Sequence, residues 1–413
     1  EVDMTAADYE KEIKEVLNQL ESFDYDALTD SQKLTYDVIK EDRELQLMYN
    51  RDELRSYSEP LRAQSGLQNK LPVDMAEYAF DSEQDVKDYL ELLADLPRYM
   101  DEILRYEEMK SEAGLFMSDQ RVDEVTKACR TFIEAPKENL LIEVFEEKID
   151  QVEDLTKEQK EAYTAENEEA VNQYVIPTYE KIIETFEELK GTGTNDGGIC
   201  HFPEGGTYFG YLVKKKTGTE MTASQLYDDI GLEMVNLYSE FYQLMQDHPD
   251  ILDEFAEYQF DESDPKTMIT MLQESITENF PDMITDQYSL KYVPKALEES
   301  MNPAFYMIPP VDDLNDNKIY LNQSQMINNM EVFTTLAHEG YPGHLYQMTF
   351  FSSTDPDPIR FQMTTLGYVE GWATYAEDTA YKYMGMEDYL ARFMALNREM
   401  TLCLYAQADI GVN

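Results

Sequence analysis

The stretch TTLAHEGYPGHLYQ, residues 334–347, holds two of the four histidines in the chain, His338 and His344, with Glu339 directly after the first. Imidazole nitrogens and carboxylate oxygens are ligands for a divalent cation such as zinc, and a carboxylate beside such an ion can take a proton from water. The spacing raises a difficulty. Histidines four apart share a helix face, but six residues turn a regular helix by about 600° and send the two rings to roughly opposite faces. A straight helix cannot aim both at one ion.

The residues between them bear on that difficulty. Pro342 cannot donate to the carbonyl of His338 and clashes with the preceding turn, so a helix must kink or widen there. Gly340 and Gly343 open backbone conformations closed to other residues. A distorted turn, two residues longer than in an HExxH segment, would return His344 to the face of His338 and leave Glu339 as the base. The same residues also suit a plain helix end capped by His344.

A catalytic zinc site needs a third protein ligand. The segment GYVEGWATYAED, residues 367–378, carries Glu370 and Glu377, seven apart and therefore on one helix face. Glu370 is the candidate third ligand. Glu377, two turns on, is placed to hold a ligand histidine in its tautomer. Solvated acids are the plain alternative in so acidic a chain.

The elements that must position these groups read mainly as helices. In DYEKEIKEVLNQLESF, Ile13, Val16, Leu17 and Leu20 share one face; Val86, Leu90, Leu93 and Leu96 repeat the pattern. Ser82 with Asp85, Thr156 with Gln159 and Thr222 with Gln225 mark helix starts of the capping-box kind. A long helical pattern is interrupted around Pro177. GTGTNDGG, residues 191–198, predicts a loop or hinge between an N-terminal helical lobe, 1–190, and a second lobe, 199–413. FPEGGTYFGYLVKKKTG reads as partly extended. Residues 305–308 and 318–321 predict a β-hairpin just before the histidine segment, with Pro309 and Pro310 suiting an edge strand.

Composition narrows the classes. The chain has 85 acidic and 33 basic residues, a formal charge of -52. A surface so negative repels phosphate backbones, which argues against nucleic acid and anionic membranes as partners. No run of apolar residues is long enough to span a bilayer. Cys129, Cys200 and Cys403 form no CxxC pair, and their odd number argues against a disulfide framework; they read as small buried hydrophobes. The absence of an initiator Met leaves the compartment open.

TLAHEGYPGHLYQ followed by EGWATYAED resembles the bacterial family known as domain of unknown function 885, marked by HEGxPGHH and EGWALYAE segments and grouped with the HExxH metallopeptidases. YSEPLRAQSGLQNKLP, DVKDYLELLADLPRYMDE and GGTYFGYLVKKKTGTEMTASQLYDDIGLEMV also look like family blocks. The resemblance implies a mainly α, two-lobed, zincin-like zinc peptidase with a small β-hairpin or sheet beside the metal helix. It implies His338, His344 and Glu370 as ligands and Glu339 as the catalytic Glu. Leu345 stands where the family often has a further His. YAQADIGVN resembles a block that usually ends in His, where this chain has Asn413, and further sequence is expected beyond it.

The expectation is thus a zinc-dependent hydrolase of short peptides. Tyr208 and Tyr211 are candidate oxyanion donors, and core packing is the plain alternative for each. His201 and His248 read as structural or surface residues. A peptide-binding protein with a decayed metal motif and a metal-dependent amidase or esterase are the rival readings. Family resemblance favours the cell envelope or secretion, with a lipid anchor upstream, over the cytoplasm.

Overall fold

A computed structural model describes residues 6–195, 197–310 and 315–413. In chain order its helices are α1 (Ala6–Glu21), α2 (Asp30–Tyr49), α3 (Leu67–Glu77), α4 (Glu83–Glu112), α5 (Asp119–Ile133), α6 (Leu140–Ile149), α7 (Lys157–Ala170) and α8 (Ile176–Leu189). They continue with α9 (Gly205–Thr217), α10 (Ala223–Asp247), α11 (Ile251–Glu257), α12 (Pro265–Ser275), α13 (Asn329–Glu339), α14 (His344–Ser353), α15 (Leu366–Ala380) and α16 (Asp388–Val412). The starts of α4, α7 and α10 carry the expected reciprocal caps, with Ser82, Thr156 and Thr222 accepting from the third helical N–H. The interruption near Pro177 is a π-helical turn, Val171–Val175, between α7 and α8. A wider turn absorbs the donor that proline lacks without ending the helical run.

The chain forms two compact units whose bounds differ from 1–190 and 199–413. One gathers Arg55–Asp196 and Val293–Asn302; the other gathers Thr5–Leu54, Gly197–Tyr292 and Pro303–Asn413. Helices α1 and α2 join the second unit because α2 packs on α9, with the rings of Tyr49 and Tyr211 5.1 Å apart. The segment Val293–Asn302 joins the first, where buried Asn69 donates to the Ser300 carbonyl at 3.3 Å.

In the first unit, Val86, Leu93, Met100 and Leu104 of α4 are buried, as are Val122 and Val125 of α5 and Ile182 and Phe186 of α8. The same α4 buries Glu107 and Lys110, with Nζ 3.0 Å from Glu107 Oε2. Burial raises the Glu107 carboxyl to about 7, against the opposing pull of Lys110. A carboxyl held above its ordinary 4.5 favours the folded state when protonated. Its stabilising contribution is therefore full below that value and is lost as pH rises through about 7. Replacing the pair by Glu107→Gln with Lys110→Met removes this slope. Urea melts at pH 5 and pH 8 are expected to show the double variant gaining on the wild type at the higher pH, by about 1–3 kcal/mol. An equal difference at both values would reject the assignment.

The second unit contains the sheet, β1 (Ser289–Tyr292), β2 (Ala304–Met307) and β3 (Lys318–Leu321), in the order β1-β3-β2. Strands β2 and β3 are the expected antiparallel hairpin, with Phe305 opposite Tyr320 and their rings stacked at 4.8 Å. Residues 311–314 of the connecting loop lie outside the described residues. Strand β1 pairs parallel to β3, although its four residues, SLKY, carry too little alternation to mark a strand in the sequence. Strand β2 lies at the sheet edge, with Pro309 and Pro310 just beyond its end. The glycine-rich segment 205–217 is helix α9, not extended. Its three lysines fall in the last turn, where they favour the helix dipole, and Gly218 ends it at φ 66°.

The core of this unit joins Phe333, Leu336 and Ala337 of α13 to Met268, Ile269 and Leu272 of α12, Ile319 and Leu321 of β3, and Phe393 and Met394 of α16. Helix α13 is thereby fixed on one side by the sheet and on the other by α15. Among the cysteines, Cys129 is buried as expected, whereas Cys200 is exposed; all three are free thiols. Among the described residues, no helix is long and apolar enough to cross a membrane.

Candidate metal centre

Helix α13 ends at Glu339 and α14 begins at His344. The helix therefore stops, and the two histidines come together all the same. Residues 340–343 form a tight non-helical link in which the Tyr341–Pro342 peptide is cis. Buried Tyr341 donates its hydroxyl to the Thr285 carbonyl at 2.9 Å, and the Trp372 indole of α15 donates to the Pro342 carbonyl at 2.6 Å. Glycine is required at 343 by close approach. A Cβ there would lie 1.8 Å from the carbonyl oxygen of His338 and 2.3 Å from that of Ala337. The end of one helix is pressed against the start of the next, and this puts the rings of His338 and His344 4.6 Å apart at 87°.

Ligand atoms of His338, Glu339 and His344 all lie within 4.8 Å of one another. Glu370, from α15, brings Oε2 to 3.4 Å from His338 Nε2 and 3.9 Å from His344 Nε2. Glu377, one face-repeat further along α15, accepts from His338 Nδ1 at 2.6 Å, the contact expected of a residue that sets the tautomer. The cluster thus gathers five residues that the sequence singled out: His338, Glu339, His344, Glu370 and Glu377. Tyr208 and Tyr211 sit together on α9, rings 6.0 Å apart, and Tyr211 packs on Tyr49 with Lys215 over its ring. His201 is exposed in a short 3-10 turn, and His248 stacks on Tyr389 at 3.7 Å.

Three contacts carried no signal in the sequence. Glu339 Oε2 accepts the backbone N–H of Tyr306 on β2 at 2.7 Å. Arg398 of α16 donates from Nε to Glu377 Oε2 at 2.9 Å. The Trp372 indole holds the link as described above. A backbone donor has no residue signature, and Arg398 lies 21 positions from Glu377 on another helix.

The electrostatics follow from burial and crowding. Burial pulls the His338 imidazole down, but its contacts with Glu370 and Glu377 and the charge of Glu339 outweigh this and hold it at about 10. His344 moves the other way, to about 4, through burial and the neighbouring His338 charge. Burial raises Glu339 to about 7. Glu370 is held below its ordinary value by its contact with His338. Glu377 is also held low, because its bonds to His338 and Arg398 outweigh the cost of burial.

This donor set suits a metal ion. Two imidazoles and a half-exposed carboxylate come together, a second carboxylate lies beside them, and His344 Nδ1 is buried with no hydrogen-bond partner among the described residues. Nitrogen and oxygen donors in this proportion match catalytic zinc.

Fold and site together define a mainly helical protein with a small mixed sheet and a histidine–glutamate cluster at a helix break. The chain belongs to the bacterial family described as Bacterial protein of unknown function (DUF885), whose pattern matches residues 3–413. Its fold is similar to that of a lipoprotein candidate from Colwellia psychrerythraea, with TM-score 0.83 and 18% identity, over 100% of this chain and 77% of that one. It is also similar to a lipoprotein candidate of unknown function from Shewanella oneidensis, with TM-score 0.59 and 13% identity, over 97% and 75% of the two chains. No curated protein matches the sequence.

Proposed function

We propose that this protein is a zinc-dependent, zincin-like peptidase acting on short peptides. The observation that carries the reading is the convergence of His338 and His344 on Glu370 Oε2, at 3.4 and 3.9 Å, although their sequence spacing forbids this on one helix. His338, His344 and Glu370 would hold the ion. When bound, zinc supplies Lewis acidity towards a carbonyl and acidifies water.

The remaining chemistry belongs to the chain. Glu339, buried beside the two histidines, suits a general base that takes a proton from the attacking water and returns it to the leaving amine. The Tyr306 N–H holds its carboxylate in place. Glu377 accepts from His338 Nδ1 and so directs Nε2 towards His344 and Glu370. Strand β2 lies at the sheet edge beside α13, a position where an extended peptide can add to a sheet, and that mode of recognition favours peptides over compact substrates. An envelope or secreted location is supported by the two structural neighbours, both described as lipoprotein candidates.

Metal content tests the reading. Elemental analysis of wild type purified without chelators is expected to give about one zinc per chain, as a single three-ligand site requires, and much less in His344→Ala. Zinc retained in full by the variant would reject His344 as a ligand. Its absence from both proteins after reconstitution would reject the peptidase reading.

A further inference from the structure

We infer that Arg398 is a positioning residue for the metal site, acting through Glu377; this rests on the metal reading above. Glu377 is buried, and among the described residues each of its carboxylate oxygens has one hydrogen-bond partner. Oε1 accepts from His338 Nδ1 at 2.6 Å and Oε2 from Arg398 Nε at 2.9 Å. The carboxylate plane is therefore pinned from both sides. With Arg398 removed, the Oε2 side of Glu377 loses this bond, and the carboxylate can turn about its last side-chain bond. The His338 ring turns with it.

Arg398 is itself presented from a braced helix. Six residues earlier on α16, Arg392 makes two contacts with Glu240 of α10, both at 2.8 Å, and a third with Glu399 at 2.6 Å. The sequence of contacts α10–α16–α15–α13 thus ends on the Nδ1 atom of a ligand histidine. The surroundings also explain why a cation is needed there. The Asp378 carboxylate, next to Glu377 in the sequence, also acts on Arg398, so the guanidinium faces two carboxylates of α15. Its contact to Glu377 is a single Nε bond, not a fork of two. Lysine can make a bond of that kind, which gives the test a conservative variant.

The experiment uses the full chain and zinc alone. Zinc affinity is measured by competition with a chromophoric chelator for wild type, Arg398→Gln, Arg398→Lys, Glu377→Gln and the double variant Glu377→Gln/Arg398→Gln, with helicity checked by circular dichroism. The cobalt-substituted proteins are compared by their visible absorption, which reports ligand geometry. Arg398→Gln is expected to weaken zinc binding by roughly 10–100-fold and to alter the cobalt spectrum. Arg398→Lys is expected to recover most of the affinity and the wild-type spectrum. The double variant is expected to bind no more weakly than Glu377→Gln alone, because the two residues act in series.

Equal zinc affinity and an identical cobalt spectrum in wild type and Arg398→Gln would overturn the inference while leaving the metal site standing. Additive losses in the double variant would overturn it as well. Should Arg398→Gln fail to fold, Arg398→Lys and Glu377→Gln decide. A lysine variant that folds but binds as weakly as Glu377→Gln overturns the proposal. A wild type that takes up no zinc rejects the metal reading itself, and this inference with it.

Discussion

Glu339→Gln is expected to lower peptide hydrolysis by about 10²–10⁴-fold while the protein still takes up zinc. On the proposed reading, the side chain's work is proton transfer, which an amide of the same shape cannot do. Structure argues that the variant folds. Gln keeps an oxygen that can accept from the Tyr306 N–H, and it fits the same buried space. The stability effect has the opposite sign to the activity effect. Burial raises the Glu339 carboxyl to about 7, above its ordinary 4.5, so the stability it gives as a neutral acid is lost as pH rises through about 7. The amide is neutral throughout. In the presence of chelator, Glu339→Gln should therefore melt at or above the wild-type temperature at pH 8. Activity with a fluorogenic peptide and thermal melts on the same preparation check both halves. Undiminished hydrolysis would remove Glu339 from the base role.

The second large effect belongs to a residue with no side chain. Gly343→Ala would put a methyl 1.8 Å from the His338 carbonyl oxygen, against backbone that cannot swing away as a flexible side chain could. The link must open, and His344 moves with it because it is the next residue. Zinc affinity should fall by roughly 100-fold, and stability by about 3 kcal/mol, the upper end of ordinary overpacking costs. Chelator competition and urea melts measure the two. A variant that binds zinc like the wild type would show that the close packing of the helix ends is not what brings the histidines together.

That packing also marks where the sequence stopped being legible. The residue types pointed to the cluster: His338, Glu339, His344, Glu370 and Glu377 lie close together. What spacing could not tell was how the turn is built. A kinked or widened helix and a plain helix end stood as alternatives, and the molecule combines them: the helix ends, yet the rings meet. The outcome depends on contacts from Thr285 and Trp372, which are distant in sequence. Local pattern served well where structure is local, as at the caps of α4, α7 and α10. It failed for α9, in a segment that read as partly extended, and for β1, whose four residues become a strand only because β3 lies alongside. The grouping of α1 and α2 with the second half of the chain left no trace in composition, because it rests on tertiary contact alone.

Interleaving of the two units has a consequence for how the chain is made. The unit with the histidine cluster draws on Thr5–Leu54 and on Gly197–Tyr292 and Pro303–Asn413, stretches that lie on both sides of Arg55–Asp196 in the sequence. Helices α1 and α2 can pair with each other early, but α9 is translated only after the whole of Arg55–Asp196. Their apolar faces wait through that interval. The other unit waits too, since Val293–Asn302 arrives long after the rest of it. Closing contacts so far apart in sequence is slow, and exposed apolar faces attract one another between nascent chains. Holding factors that shield such surfaces during translation should therefore raise the yield of this protein more than that of one whose units are each continuous in the chain.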